Sequence, residues 1–135
     1  MNKFLNIIWP IIVLLALDFI FLNFFFIEKY KKMINNVQKS PLSTSNTTSI
    51  VSICLVYLLM IIGFFCFIVP NIEKQLDWKN SLKYGATFGL VVYGVYSLTC
   101  LSIFKEWSLK YTIIDIVWGA ILYGLVSFLY VPLDN

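Results

Sequence analysis

Two acids, Asp18 and Asp115, each stand inside a long apolar run of the chain. A carboxylate placed in hydrocarbon is costly unless it is hydrated, paired or neutralised, so such a residue marks an ion pathway, a proton relay or a polar contact between helices. The side chains that could serve these acids recur at helical spacing. Tyr93, Tyr96, Ser97 and Cys100 lie at i, i+3, i+4 and i+7 and share one helix face, while Asp115, Trp118 and Gly119 form an i, i+3, i+4 set. Tyr57 adds a further hydroxyl. The candidate polar cluster is therefore Asp18, Tyr57, Tyr93, Tyr96, Ser97, Cys100, Asp115 and Trp118, with hydroxyl and indole N–H groups available to donate to the carboxyls.

Other chemistries lack their residues. The chain has no histidine, which removes imidazole acid–base catalysis and histidine metal sites. Cys54, Cys66 and Cys100 lack metal-binding or redox spacing and fall inside apolar runs, where cysteine packs as a small residue. No phosphate-cradling glycine loop or nucleophile elbow is present, so no metal, cofactor or catalytic residue is assigned. A net charge of +3 distributed over connecting segments does not make a nucleic-acid surface.

The elements that must position the cluster are four apolar runs, at about residues 4–27, 50–69, 82–104 and 111–131 of the 135. With 60% hydrophobic residues and a mean hydropathy of +0.85, the chain does not describe a water-soluble domain. Each run approaches or exceeds the roughly 20 residues a helix needs to cross a hydrocarbon core of about 30 Å. Closed barrels need shorter, alternating segments, which are absent. The expected fold is all-α: one membrane domain, an up-and-down bundle of four transmembrane helices in a lipid bilayer. Alternating direction brings the polar groups into one half of the bilayer. Counted from the face that carries the first and third loops, Asp18 lies roughly 14 Å deep, Ser97 and Tyr57 roughly 10 Å, and Asp115 roughly 6 Å. Gly85-x-x-x-Gly89 and Ala120-x-x-x-Gly124, with Gly119, are small-residue spacings that let helices approach closely.

The connections carry less. Residues 28–49 form a polar, basic loop in which Tyr30, Met33, Ile34 and Val37 recur at helical spacing between lysines, the pattern of a short helix lying on a membrane surface. Ser40-Pro41 ends that helix, and a Ser/Thr/Asn-rich connector follows to Ser49. The opening run follows Lys3 as a signal peptide would, but it continues through Phe24, Phe25 and Phe26 without a small-residue cleavage site and reads as a span. Trp9-Pro10 near its start predicts a late helix start or a mild kink. Lys29, Lys31, Lys32, Lys39, Lys105 and Lys110 fall on one side, against Lys3, Lys74, Lys79 and Lys83 on the other. This bias places both termini outside and loops 28–49 and 105–110 in the cytoplasm. The sequon Asn46-Thr47-Thr48 pulls the other way, because it is usable only in a secretory lumen.

A resemblance rests on Gly85-Ala-Thr-Phe-Gly89-Leu-Val-Val-Tyr93-Gly-Val-Tyr96-Ser-Leu-Thr99, Lys105-Glu-Trp107, Asp115-Ile-Val-Trp118-Gly119, and Ala16-Leu17-Asp18 followed by Leu22. These stretches resemble a family of small predicted bacterial membrane proteins, domain-of-unknown-function family twenty-one seventy-seven. The resemblance covers nearly the whole chain and implies four spans, with no family activity to carry over. The chain departs from the family pattern at Ser97 and Cys100, where Asp and Asn are usual, and at Phe21, where tryptophan is usual. These departures take an acid and an amide out of the cluster.

Three functions fit these residues. A structural or accessory membrane protein would use the aspartates to fix helix packing, and this reading is placed first. A proton, cation or small-solute transport component would use Asp18 and Asp115 between helices and, being small, would assemble as a homo-oligomer. An intramembrane lipid-modifying enzyme would use them as acid and base, with nothing beyond the two acids in its favour.

Overall fold

The computed structural model describes residues 3–42 and 45–134. Among them there is no strand, and four helical rods are long and apolar enough to cross a membrane: Phe4–Gln38, Thr47–Lys74, Trp78–Ile103 and Leu109–Tyr130. The first rod comprises α1 (Lys3–Phe21), a π-turn (Leu22–Phe26) and α2 (Ile27–Gln38). The second comprises α3 (Thr47–Gly63), another π-turn (Phe64–Ile68) and α4 (Val69–Lys74). The third and fourth are single helices, α5 (Trp78–Ile103) and α6 (Leu109–Asp134).

Local chemistry sets where the rods begin and end. The Asn46 side chain accepts from the Ser49 N–H at 2.8 Å and caps α3, so the helix starts inside the Ser/Thr-rich connector rather than after it. Asp77 caps α5 in the same way through the Lys79 N–H at 3.3 Å. These caps shorten the connections expected from hydropathy and extend the helices past the apolar runs. Pro10 is enclosed within α1, which begins before it at Lys3, so the late start expected at Trp9-Pro10 does not occur. At the far end of the first rod, Lys39 adopts left-handed backbone (φ 61°) and returns its N–H to the Asn35 carbonyl at 2.9 Å. This closes α2 just before Ser40-Pro41.

The π-turn after α1 has a clear consequence. Leu14, Asp18 and Phe21 point into the bundle, and the next buried residue is Phe26, five positions on, stacked on Phe21 at 5.6 Å. An uninterrupted α-helix would have continued that face through Phe25, Lys29 and Lys32. The extra residue instead carries Phe26, Tyr30, Met33 and Val37 inward and leaves Phe24 and Phe25 exposed. The short helix expected to lie on the membrane surface is present and runs to Gln38, but it continues the first rod. Its apolar stripe is covered by protein, packing with Phe104, Trp107 and Tyr111 at the tip of the α5–α6 hairpin.

The hairpin of α5 and α6 is the most extensive helix pair, and α1 packs against α6. A main core joins Leu14, Phe64, Ile68, Ile72, Leu122, Tyr123 and Val126. Much of α3, including Ile50, Val51, Leu55 and Leu59, turns outward, as expected for a helix whose solvent is lipid. The small residues act at the hairpin. A Cβ on Gly89 would collide with the Gly119 carbonyl, and one on Gly85 with Ser127 and the Tyr123 carbonyl. Gly119 in turn makes room for the Tyr93 ring, while Gly124 faces Ala86 at ordinary contact distance. Ala120 lies beside the Gly89 contact, its backbone nitrogen about 3.1 Å from the position of a Gly89 Cβ.

Candidate functional site

Close approach of α5 to α6 lays the Tyr93 ring over Gly119, and from there its hydroxyl reaches Asp18 of α1. The Asp18 carboxyl accepts three hydrogen bonds, each from a different rod. The Tyr57 hydroxyl of α3 donates to Oδ2 at 2.8 Å, the Tyr93 hydroxyl of α5 to Oδ1 at 2.9 Å, and the Trp118 indole N–H of α6 to Oδ1 at 3.2 Å. Phe21, one turn along α1, stacks on the Trp118 ring with centroids 4.3 Å apart and planes 9° from parallel. That contact holds the indole edge toward the acid.

Asp115 belongs to a second group. Its Oδ2 accepts from Ser97 Oγ at 2.6 Å, a bond from α5 to α6 across the hairpin. Ser97 is fully buried and Asp115 half-buried. The Tyr96 hydroxyl, which shares the stripe with Ser97, pairs with the Tyr30 hydroxyl of α2, and the Cys100 thiol lies beside it. The eight candidate residues therefore divide into Asp18 with Tyr57, Tyr93 and Trp118, Asp115 with Ser97, and Tyr96 with Cys100.

Two participants were not legible as such. In the sequence Tyr30 stands out only as part of an amphipathic stripe; its signal is a phenol on the covered face of that stripe, where a buried hydroxyl needs a partner. Tyr123 donates to the Met60 carbonyl at 3.3 Å, just ahead of the second π-turn, and nothing in the local sequence distinguishes it from an interfacial tyrosine. Chemically, the arrangement is a set of acceptors surrounded by donors. Among the described residues no three Cys, Asp or Glu side chains converge as a metal site requires.

Residues 4–131 match the family described as "Predicted membrane protein (DUF2177)". Comparison with curated proteins and with solved structures gave no match. With the match covering nearly all of the sequence and four apolar rods behind it, the chain belongs to this family of integral membrane proteins.

Proposed function

We propose that the protein is a structural or accessory membrane component in which Asp18 locks the four spans in register. The observation that supports this reading is the set of three donors on one carboxyl, one from each of the other three rods. Interhelical hydrogen bonds in membranes are individually modest, about 0.6 kcal/mol on average and rarely above about 1.7. Their value here is geometric. Rotating or sliding any one rod leaves a polar group in hydrocarbon, so the alternatives to this packing are penalised together. Asp18→Asn supplies an amide that adds donors to a site already filled with donors. The variant is expected to melt in detergent below the parent, with vesicle ion flux no different from protein-free vesicles for either protein. An unshifted melt, or flux that depends on Asp18, defeats the reading.

A transport role has one specific point in its favour. Among the described residues Asp115 has a single hydrogen-bond donor, Ser97, which leaves acceptor capacity for a proton or cation at a half-buried site. That reading calls for assembly of several copies around a shared path. It predicts cation or proton flux in proteoliposomes that Asp115→Asn abolishes. For orientation, the lysine bias favours termini outside with loops 28–49 and 105–110 in the cytoplasm.

A further inference from the structure

The covered stripe of α2 has an opposite face, and that face is built. Glu28, Lys31, Lys32 and Asn35 lie at i, i+3, i+4 and i+7, so they form one strip pointing away from the Met33–Trp107 packing. Beyond α2 the chain turns at Lys39, and Gln38 Nε2 donates to the Ser40 and Pro41 carbonyls at 3.1 and 3.0 Å. This pins Pro41 and Leu42 back over the helix as a second wall. Between the strip and the wall lies an open cleft of about 660 Å³ lined by Glu28, Lys31, Lys32, Asn35, Pro41 and Leu42. Among the described residues neither Lys31 nor Lys32 is ion-paired.

We propose that this cleft binds a phosphate group, and that the phosphate is carried by an anionic phospholipid. Two ammonium groups and the Asn35 amide supply donors to phosphoryl oxygens, and they outweigh the single carboxylate of Glu28. Pro41 and Leu42 give the cleft an apolar side suited to the glycerol and upper acyl region. Placement favours a lipid over a soluble anion. The other side of α2 packs on Phe104, Trp107 and Tyr111 at the connection between α5 and α6, where those spans leave the hydrocarbon, so the strip stands at the membrane–water boundary. Lysines at that level attract anionic lipid, and here two of them share one concave site instead of being spread along the chain.

The test uses detergent-purified protein titrated with short-chain phosphatidylglycerol, with short-chain phosphatidylcholine and with inorganic phosphate, bound lipid being read by native mass spectrometry and by thermal shift. The parent is expected to retain phosphatidylglycerol over phosphatidylcholine, with little response to inorganic phosphate. Lys31→Gln/Lys32→Gln should weaken that retention by at least about fivefold, on the scale of one lysine contact at a membrane surface. The same charge removed at the other end, Lys74→Gln/Lys79→Gln, should leave it unchanged. Equal loss in both double variants, undiminished retention in the first, or no preference between the two lipids overturns the site. An inorganic phosphate response as large as that of the anionic lipid overturns the lipid source.

Discussion

At Asp18 the three bonds are not equivalent, and substitution can separate them. Tyr57 has Oδ2 to itself, whereas Tyr93 and the Trp118 indole share Oδ1 at 2.9 and 3.2 Å. Tyr57→Phe removes a donor and leaves one oxygen without a protein partner, while Tyr93→Phe leaves Oδ1 with the indole. Thermal unfolding in detergent is expected to show the larger loss for Tyr57→Phe, by about 1 kcal/mol within the usual span for interhelical bonds. Asp18→Asn should cost more than either, about 1–3 kcal/mol, because an amide N–H₂ is forced against donors. Once the acid is gone, Tyr57→Phe should add little, and a double-mutant cycle reports that difference as the coupling. Asp115→Asn loses one bond at most and should fall nearer the phenylalanine variants. If Asp115→Asn proves the more damaging of the two, Asp115 and not Asp18 is the acid that holds the rods in register.

Among the elements, the hairpin and the π-turn make opposite demands on chain length and side-chain size. Gly89 meets the Gly119 carbonyl, a backbone atom that cannot rotate aside, so Gly89→Ala must push α5 from α6 and disturb Tyr93 on its way to Asp18. Gly94, one further turn along α5, has nothing within 4 Å of where a Cβ would sit, and Gly94→Ala should be neutral or slightly stabilising through helix propensity. Melting curves of the two variants test the pair, and equal behaviour removes the close-approach explanation. For the π-turn, deleting the exposed Phe24 shortens the Phe21-to-Phe26 step from five residues to four and restores an ordinary turn without changing the buried face. That deletion is expected to fold with little loss. One alanine inserted after Phe24 instead rotates α2 by about 100° and should destabilise strongly, since Met33 and Tyr30 leave the Trp107 cluster. These features also mark where the sequence was and was not readable. The runs, their alternation and the small residues at Gly85 and Gly89 follow from composition and spacing, because hydrocarbon thickness leaves few choices. The division of Tyr93 to Asp18 and Tyr96 to Tyr30 does not, because both phenols lie on one stripe and only the rotation of the neighbouring rods decides between them. The π-turns were equally hidden: Leu22–Phe26 and Phe64–Ile68 are uniformly apolar or aromatic except for Asn23, and periodicity has nothing to count there.

Over the whole molecule, the polar groups gather toward the end that carries α2 and the 104–108 connection, and the direction of that end decides which leaflet they and the lysine cleft face. The first rod presents Lys29, Lys31 and Lys32 within little more than one helical turn, and Lys39, Lys105 and Lys110 join them, against Lys3, Lys74, Lys79 and Lys83 at the opposite end. Positive residues flanking spans are retained in the cytoplasm, and because α2 is folded against the hairpin tip its lysines stay close to the span that they orient. The expected state therefore has α2 and the 104–108 connection inside and Glu73 with the 75–77 connection outside. Replacing Cys54, Cys66 and Cys100 by alanine and adding Ser40→Cys or Glu73→Cys, both at exposed positions, gives one reporter thiol at each end. A membrane-impermeant maleimide applied to intact cells should label the Glu73 reporter and reach the Ser40 reporter only after permeabilisation. The reverse pattern, or sugar found on Asn46 after expression in a secretory host, inverts the protein and puts the lysine cleft against the outer leaflet. The Asp18 and Asp115 contacts would be unchanged, since they depend on the rods alternating and not on the direction in which the first one points.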